Sequence, residues 1–279
     1  MSSKRPDPVT PARPSLDVPQ VVPVAPPAGF IEEARAQGIE FESGDLHRLG
    51  VYLATLFEAN KAMNLTAVDD PAQAWRRHVL DSLTLLGPLS QLPEGARVID
   101  VGSGGGLPGL PLAICMPTLR FTLLEATAKK AEFLALVAKR LELSNVAVLA
   151  QRAERAAHDR GEKVNQGERT TREGGHREAY DAVVARAVGR LPTLLELTTP
   201  FARIGGKVLL IKGEQAPAEV EEARDAMRLL KVVHVGTVDT PTGRIVVLEK
   251  PSATPKTYPR ADGEPKRAPL GVVRPRTGR

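Results

Sequence analysis

The chain has 279 residues, of which 42% are hydrophobic, 4% aromatic and 25% charged. That make-up suits a soluble globular protein of one or two domains with a sizeable core, and no apolar run approaches the ~20 residues that a membrane-spanning helix needs. Cys115 is the only cysteine, which excludes an internal disulfide and a Cys-based metal site and suits a reducing cytoplasm. The net charge is +5, and all of it sits in residues 251–279, which hold seven Lys/Arg against two Asp/Glu. The basic character belongs to one arm, not to the whole protein.

Eight of the 24 prolines fall in residues 1–29 and six in 251–279. Lys4 and Arg5 precede a proline-broken stretch, not the apolar core of a signal peptide. Such segments bury too little apolar surface to offset their ordering entropy, so 1–28 reads as a disordered extension and 251–279 as a basic tail ordered only in part or on a partner. Between them, 29–250 reads as one domain. Its first part, 29–95, is a helical cap. Helical spacing runs over 29–38 and over 43–63, where Leu46, Leu49, Leu53, Leu56 and Phe57 share a face. Asp70-Pro71 opens a further helix with Trp75, Val79, Leu83 and Leu86 on its apolar stripe.

From residue 96 short apolar strands alternate with helices. The strands are 97–101, 121–125, 146–150, 181–186, 207–212, 232–237 and 243–249, and helices lie at 109–115, 128–143, 191–203 and 217–230. This predicts an α/β fold, a mostly parallel seven-stranded sheet with helices on both faces. The last two strands form an antiparallel hairpin at the sheet edge, turned by Thr240-Pro241-Thr242-Gly243. Residues 155–179 are too polar for an element and too long for an ordinary connection, and read as a mobile surface insertion.

The strongest local signal is Val98-Ile99-Asp100-Val101-Gly102-Ser103-Gly104-Gly105-Gly106-Leu107-Pro108-Gly109, a buried strand, a glycine-rich turn and a helix. Such a turn lies where parallel sheets bind ligands, although two elements joined by a tight turn would also use glycine. Gly102 and Gly104 match the first two glycines of the dinucleotide fingerprint, but its sixth position is Leu107, and the loop lacks the Gly-Lys-Ser/Thr of a P-loop. Neither phosphate motif is intact, which leaves S-adenosylmethionine as the alternative nucleoside ligand. Glu125, at the end of the second strand, could accept hydrogen bonds from both ribose hydroxyls; it could also be an acid facing the N-terminus of helix 128–143. The turn Gln151-Arg152-Ala153-Glu154 lies beside the expected adenine. Arg186 and Lys212 follow apolar strands and would reach one cleft edge, as substrate cations or as surface cations. His78 and Asp81 share a helical face, which suits either catalysis or bonding between cap helices.

Asn60-Lys61-Ala62-Met63-Asn64-Leu65-Thr66-Ala67-Val68, Arg77-His78-Val79-Leu80-Asp81-Ser82-Leu83 and Asp100–Gly109 closely resemble the RsmG (GidB) family, as do Leu123-Leu124-Glu125, Arg152-Ala153-Glu154, Ala185-Arg186-Ala187, Lys212-Gly213, Tyr258-Pro259-Arg260 and Lys266–Leu270. The resemblance spans roughly 40–270 in order. It implies a Rossmann-like class I methyltransferase that moves a methyl group from S-adenosylmethionine to N7 of a guanine in 16S ribosomal RNA, free or in a small-subunit particle. It implies cofactor positions at Gly102, Leu107, Ala153, Glu154 and Arg186, beside Gly104 and Glu125. The N-terminal extension and the insertion at 155–179 depart from the family pattern. Guanine N7 has an in-plane lone pair and no proton to lose, so no general base is needed, and Arg186 and Lys212 are the candidates for positioning cofactor and RNA. Lys256, Arg260, Lys266, Arg267, Arg274, Arg276 and Arg279 suit an arm along RNA phosphates, or a solubilising tail. The expected protein is cytoplasmic and monomeric, with no metal and no membrane. A same-fold methyltransferase of small molecules or proteins, and a non-catalytic RNA-binding protein, are the competing readings.

Overall fold

The computed structural model describes residues 18–166, 169–186 and 189–272. Residues 1–17 of the expected extension, and Arg274, Arg276 and Arg279 of the tail, lie outside the described residues.

The cap holds α1 (Phe30–Ala36) and α2 (Asp45–Met63). Against α2 lies the extended run 18–28, with Val18 buried and the Val24 N–H donating to the Gly50 carbonyl at 3.1 Å. A Cβ on Gly50 would stand 2.5 Å from the Val24 oxygen, so only glycine allows this approach. Composition had this stretch disordered; prolines already preset to an extended path lower the cost of ordering it. Asp70 caps the next helix, its Oδ1 accepting from the Gln73 N–H at 2.7 Å. That helix is continuous over α3 (Pro71–Ala74), a π-helical turn (Trp75–Leu80) and α4 (Asp81–Leu83), followed by α5 (Leu86–Leu89). Phe30 packs edge-on against Trp75 at a centroid distance of 4.8 Å.

The core then alternates β1 (Arg97–Val101), α6 (Gly109–Cys115), β2 (Arg120–Glu125), α7 (Ala128–Arg140) and β3 (Val146–Ala150). After α8 (Ala153–Ala156), the stretch expected to carry no element forms a hairpin, β4 (Glu162–Gln166) and β5 (Arg169–Glu173), paired antiparallel apart from the main sheet. Next come β6 (Tyr180–Arg186), α9 (Leu191–Thr198) and β7 (Ala202–Lys212). The ninth helix is shorter than its apolar pattern because Pro200 cannot continue it, and a 3₁₀ turn closes it at Phe201. α10 (Ala216–Glu222) and α11 (Arg224–Leu230) divide what reads as one helix, and β8 (Val233–Thr240) and β9 (Gly243–Glu249) form the expected terminal hairpin.

The seven main strands lie in the order β3-β2-β1-β6-β7-β9-β8, parallel from β3 through β7, with β9 antiparallel to β7 and β8. Side chains alternate across it as strand geometry requires. Val98, Leu123, Val184 and Leu209 enter one core with α2, α6 and α7. Ile99, Leu124, Val183 and Leu210 enter the other with α9, α10 and α11. The tail is not loose: residues 250–272 pack on the second core through Leu270 and Tyr258, and a short α12 (Glu264–Arg267) forms within them. No described helix is long and apolar enough to cross a membrane.

Candidate cofactor site

The strand order reverses between β1 and β6, so their carboxyl ends diverge into the crevice where open α/β sheets bind ligands. The glycine-rich turn fills the base of this crevice. Its start is tied to β2, since the N–H groups of Gly102 and Ser103 both donate to the Leu124 carbonyl, at 2.9 and 3.1 Å. The cap supports it from below: the buried Tyr52 hydroxyl donates to the Gly105 carbonyl at 2.9 Å. At Gly106, with φ +95, a Cβ would lie 2.2 Å from Leu110 Cδ1, and at Gly109 one would meet Asp100 Oδ2 at 2.8 Å. The bare Gly109 lets its N–H reach that Asp100 oxygen at 3.0 Å. Asp100 is fully buried and its Oδ1 has no partner. Burial pushes its pKa up to about 7, against the pull of Ser103, the Gly109 N–H and Arg186.

Glu125 ends β2 beside this turn. Its Oε2 accepts from the Gly104 N–H at 3.0 Å and its Oε1 from the Thr127 N–H at 2.7 Å. An ionised carboxylate has about four acceptor sites, so one site on each oxygen remains for a ligand. The two sequence readings of Glu125 are therefore compatible: it holds the entry to α7 and still offers two acceptors.

Glu125 lines a cavity of about 970 Å³ together with Gly102, Leu124, Ala126, Ala153 and Glu154. Of the expected positions, Gly102, Glu125, Ala153 and Glu154 are thus brought together, with Gly104 tied in through Glu125. Leu107 is not among them; its side chain is buried in the first core. Glu154 is partly committed, its Oε1 accepting the Gly263 N–H at 2.8 Å. The rest of the lining comes from the tail, through Gly263, Lys266, Arg267, Ala268, Pro269 and Val272, and from Thr193 and Leu197 of α9. Reading the sequence as a basic arm missed this lining. The signal for it was that the family-like motifs Tyr258-Pro259-Arg260 and Lys266–Leu270 lie in that arm.

Arg186 and Lys212 stand elsewhere, around a depression of about 230 Å³ with Asp81, Ile211, Gly213 and Thr242. Arg186 donates to Asp81 Oδ2 at 3.1 Å and to the Arg77 carbonyl at 2.6 Å, while the Thr242 hydroxyl donates to Asp81 Oδ1. His78 does not pair with Asp81; its Nε2 meets the Thr66 hydroxyl at 2.8 Å. Burial, then the Arg186 charge, lowers its pKa to about 4, so it is neutral near pH 7. Lys212, the other expected positioning cation, is already partnered. Its side chain is 8% exposed and its Nζ lies 2.8 Å from Glu219 Oε2 and 2.7 Å from the Gly189 carbonyl. It braces the start of α10 against β7.

Residues 45–245 match a family model described as rRNA small subunit methyltransferase G. The chain is a member of the rRNA small subunit methyltransferase G family. Relatives named ribosomal RNA small subunit methyltransferase G include one from Sorangium cellulosum, 48% identical over 88% of this chain and 97% of its own length. Others come from Brevibacillus brevis, at 37% over 86% of this chain and 98% of its own, and from Desulfitobacterium hafniense, at 36% over 83% and 92%. As a member of the G family the protein is a methyltransferase whose methyl donor is S-adenosylmethionine. The residues present fit that donor: a crevice floored by bare backbone, a carboxylate in the lining that accepts only one N–H on each oxygen, and flanking apolar surface from Leu124, Ala126, Ala153 and Leu197.

Proposed function

We propose that this protein transfers the methyl group of S-adenosylmethionine to N7 of a guanine in 16S ribosomal RNA of the small subunit, acting as a monomer in the cytoplasm without a metal. The observation that carries the reading is the Glu125 carboxylate over the glycine turn, in a chain of this family. The donor supplies an electrophilic methyl on a sulfonium centre. Gly102 and Glu125 would hold its nucleoside portion, and Ala153 and Glu154 would flank the base. Guanine N7 needs no proton removed, so the protein's task is to aim the base, and orientation alone can be worth several kcal/mol. Arg186, fixed by Asp81 and the Arg77 carbonyl, is the positioning group on the substrate side. Lys266 and Arg267 line the cavity and would supply positive charge toward RNA phosphates, whereas Arg152 and Arg190, which also line it, pair with Asp262 and Glu222.

The test is methyl transfer from labelled S-adenosylmethionine to small-subunit particles from a strain lacking the enzyme, with the modified nucleotide mapped. Label at N7 of one guanine is the expected result. Label on protein or on another base atom refutes the reading.

A further inference from the structure

The segment 250–272 reads in sequence as a free basic arm, yet its main chain is gripped at close intervals. Arg177 is the principal clamp. Buried at 7% exposure, it donates to the carbonyls of Thr254 at 2.9 Å, Pro255 at 3.1 Å and Tyr258 at 2.8 Å, and to that of Ala157 at 2.9 Å. Its neighbour Glu178 accepts the Thr254 N–H at 2.9 Å and pairs with the fully buried Lys250 at 2.9 Å. Further along, Arg260 turns inward: its Nη2 lies 2.6 Å from Oε2 of the fully buried Glu196, and its N–H and Nε both donate to Glu196 Oε1, at 2.8 and 2.9 Å. The Thr193 hydroxyl donates to the Pro265 carbonyl at 3.1 Å, and Gly263 is tied to Glu154.

These bonds hold a backbone path. Arg260, half-buried, turns inward onto a carboxylate and not toward RNA, while Lys256, Lys266 and Arg267 stay exposed. What the path delivers is the cavity lining of Gly263, Ala268, Pro269 and Val272, joined to Glu154 through the Gly263 N–H.

We infer that residues 250–272 form a fixed strap that completes the binding site for the adenosyl half of the methyl donor, with Arg177 as the positioning residue that sets the strap's course. The inference rests on the cofactor reading above. It makes cofactor affinity the property that the tail controls, and it gives the stretch expected to be a mobile insertion a role through its last residues.

The experiment uses the full chain with Arg177→Gln, Arg177→Lys and Ala268→Trp, titrated calorimetrically with S-adenosylmethionine and assayed for KM of donor and of small-subunit particle. Arg177→Gln raises the donor Kd and KM by about tenfold or more and leaves the particle KM unchanged. Arg177→Lys, which keeps a cation and three donors, recovers part of the loss. Because Arg177 is also a buried structural group, Ala268→Trp serves as the second arm. Ala268 is exposed toward the cavity, so filling it raises the donor Kd by about tenfold or more with Tm held within about 2 °C. A folded Arg177→Gln or Ala268→Trp protein with Kd within about twofold of the parent overturns the strap, as does a loss confined to the particle KM. If the parent chain itself ignores the donor, the cofactor reading has failed and the strap with it, which marks that failure apart.

Discussion

Glu125→Ala separates the two duties of one carboxylate. In the parent chain each oxygen accepts one backbone N–H, from Gly104 and from Thr127, and keeps one acceptor site facing the cavity. A hydrogen bond to a charged acceptor contributes about 1.5–3 kcal/mol, so loss of the ribose contact should raise the donor Kd by about 10- to 100-fold. Loss of the two N–H acceptors should cost about 1–2 kcal/mol of stability, because the cavity admits water to both groups. That corresponds to a Tm lower by roughly 2–8 °C in a chain of this size. Glu125→Gln should fall between: its single carbonyl serves one N–H while its NH₂ faces the other, donor against donor. Calorimetry gives Kd and differential scanning gives Tm. Competition with adenosine and with 2′,3′-dideoxyadenosine supplies a third reading, since the parent should discriminate between them and Glu125→Ala should not. A protein whose Tm drops while its Kd stays within about threefold of the parent would show a loop anchor that never touches the sugar, and the reasoning would be wrong.

Tyr52→Phe removes the hydroxyl beneath Gly105 and leaves a carbonyl without its partner; chemical denaturation should show about 1–2 kcal/mol lost, and no loss would mean that the cap does not support the turn. His78 has its pKa lowered from 6.5 to about 4, so below pH 6.5 the unfolded chain takes up a proton that the folded one refuses. The His78 contribution to stability should therefore fall from pH 6.5 toward 4, by at most about 3 kcal/mol, while Asp100, whose pKa is raised to about 7, contributes in the opposite sense over that window; the parent minus His78→Gln difference in urea melts at stepped pH isolates the His78 part, and a difference that does not change with pH removes it. Lys212→Ala takes the ammonium from Glu219, which among the described residues keeps only the Leu191 N–H at 2.9 Å, and should destabilise by about 2 kcal/mol, whereas Lys212→Met with Glu219→Gln, whose amide oxygen still accepts that N–H, should restore most of it at an unchanged particle KM; a raised KM in the double variant would return Lys212 to RNA binding.

The readable parts of the sequence were those whose cause is local. Strand 97–101, the glycine turn and Glu125 follow from period-2 apolar residues, from backbone that side chains cannot occupy and from a carboxylate at a strand end, and each stands where expected. The motif position of Leu107 does not say which way its side chain turns, and it turns into the core, which leaves its main chain for any contact with a ligand. The pairing of Lys212 was not legible because its partner, Glu219, lies on the following helix. The order of the tail over 250–272 was hard to read for a more general reason. Apolar content measures order obtained by burying side chains, and this segment is ordered by its own carbonyl groups on Arg177, a residue embedded in charged neighbours. The same inward bonding takes Arg260 out of the expected RNA-facing arm.

The wall at 263–272 also bears on the order in which the protein matures during synthesis. Every strand of the main sheet, the turn at 102–108 and Glu125 leave the ribosome before residue 263 does. A product of interrupted translation ending earlier would carry the recognisable nucleoside-binding signature beside a cleft open along one flank. With 250–272 acting as the strap inferred above, competence to grip the methyl donor would arrive late, after the globular body has been made, and a shortened chain would look complete by its motifs while holding its cofactor poorly.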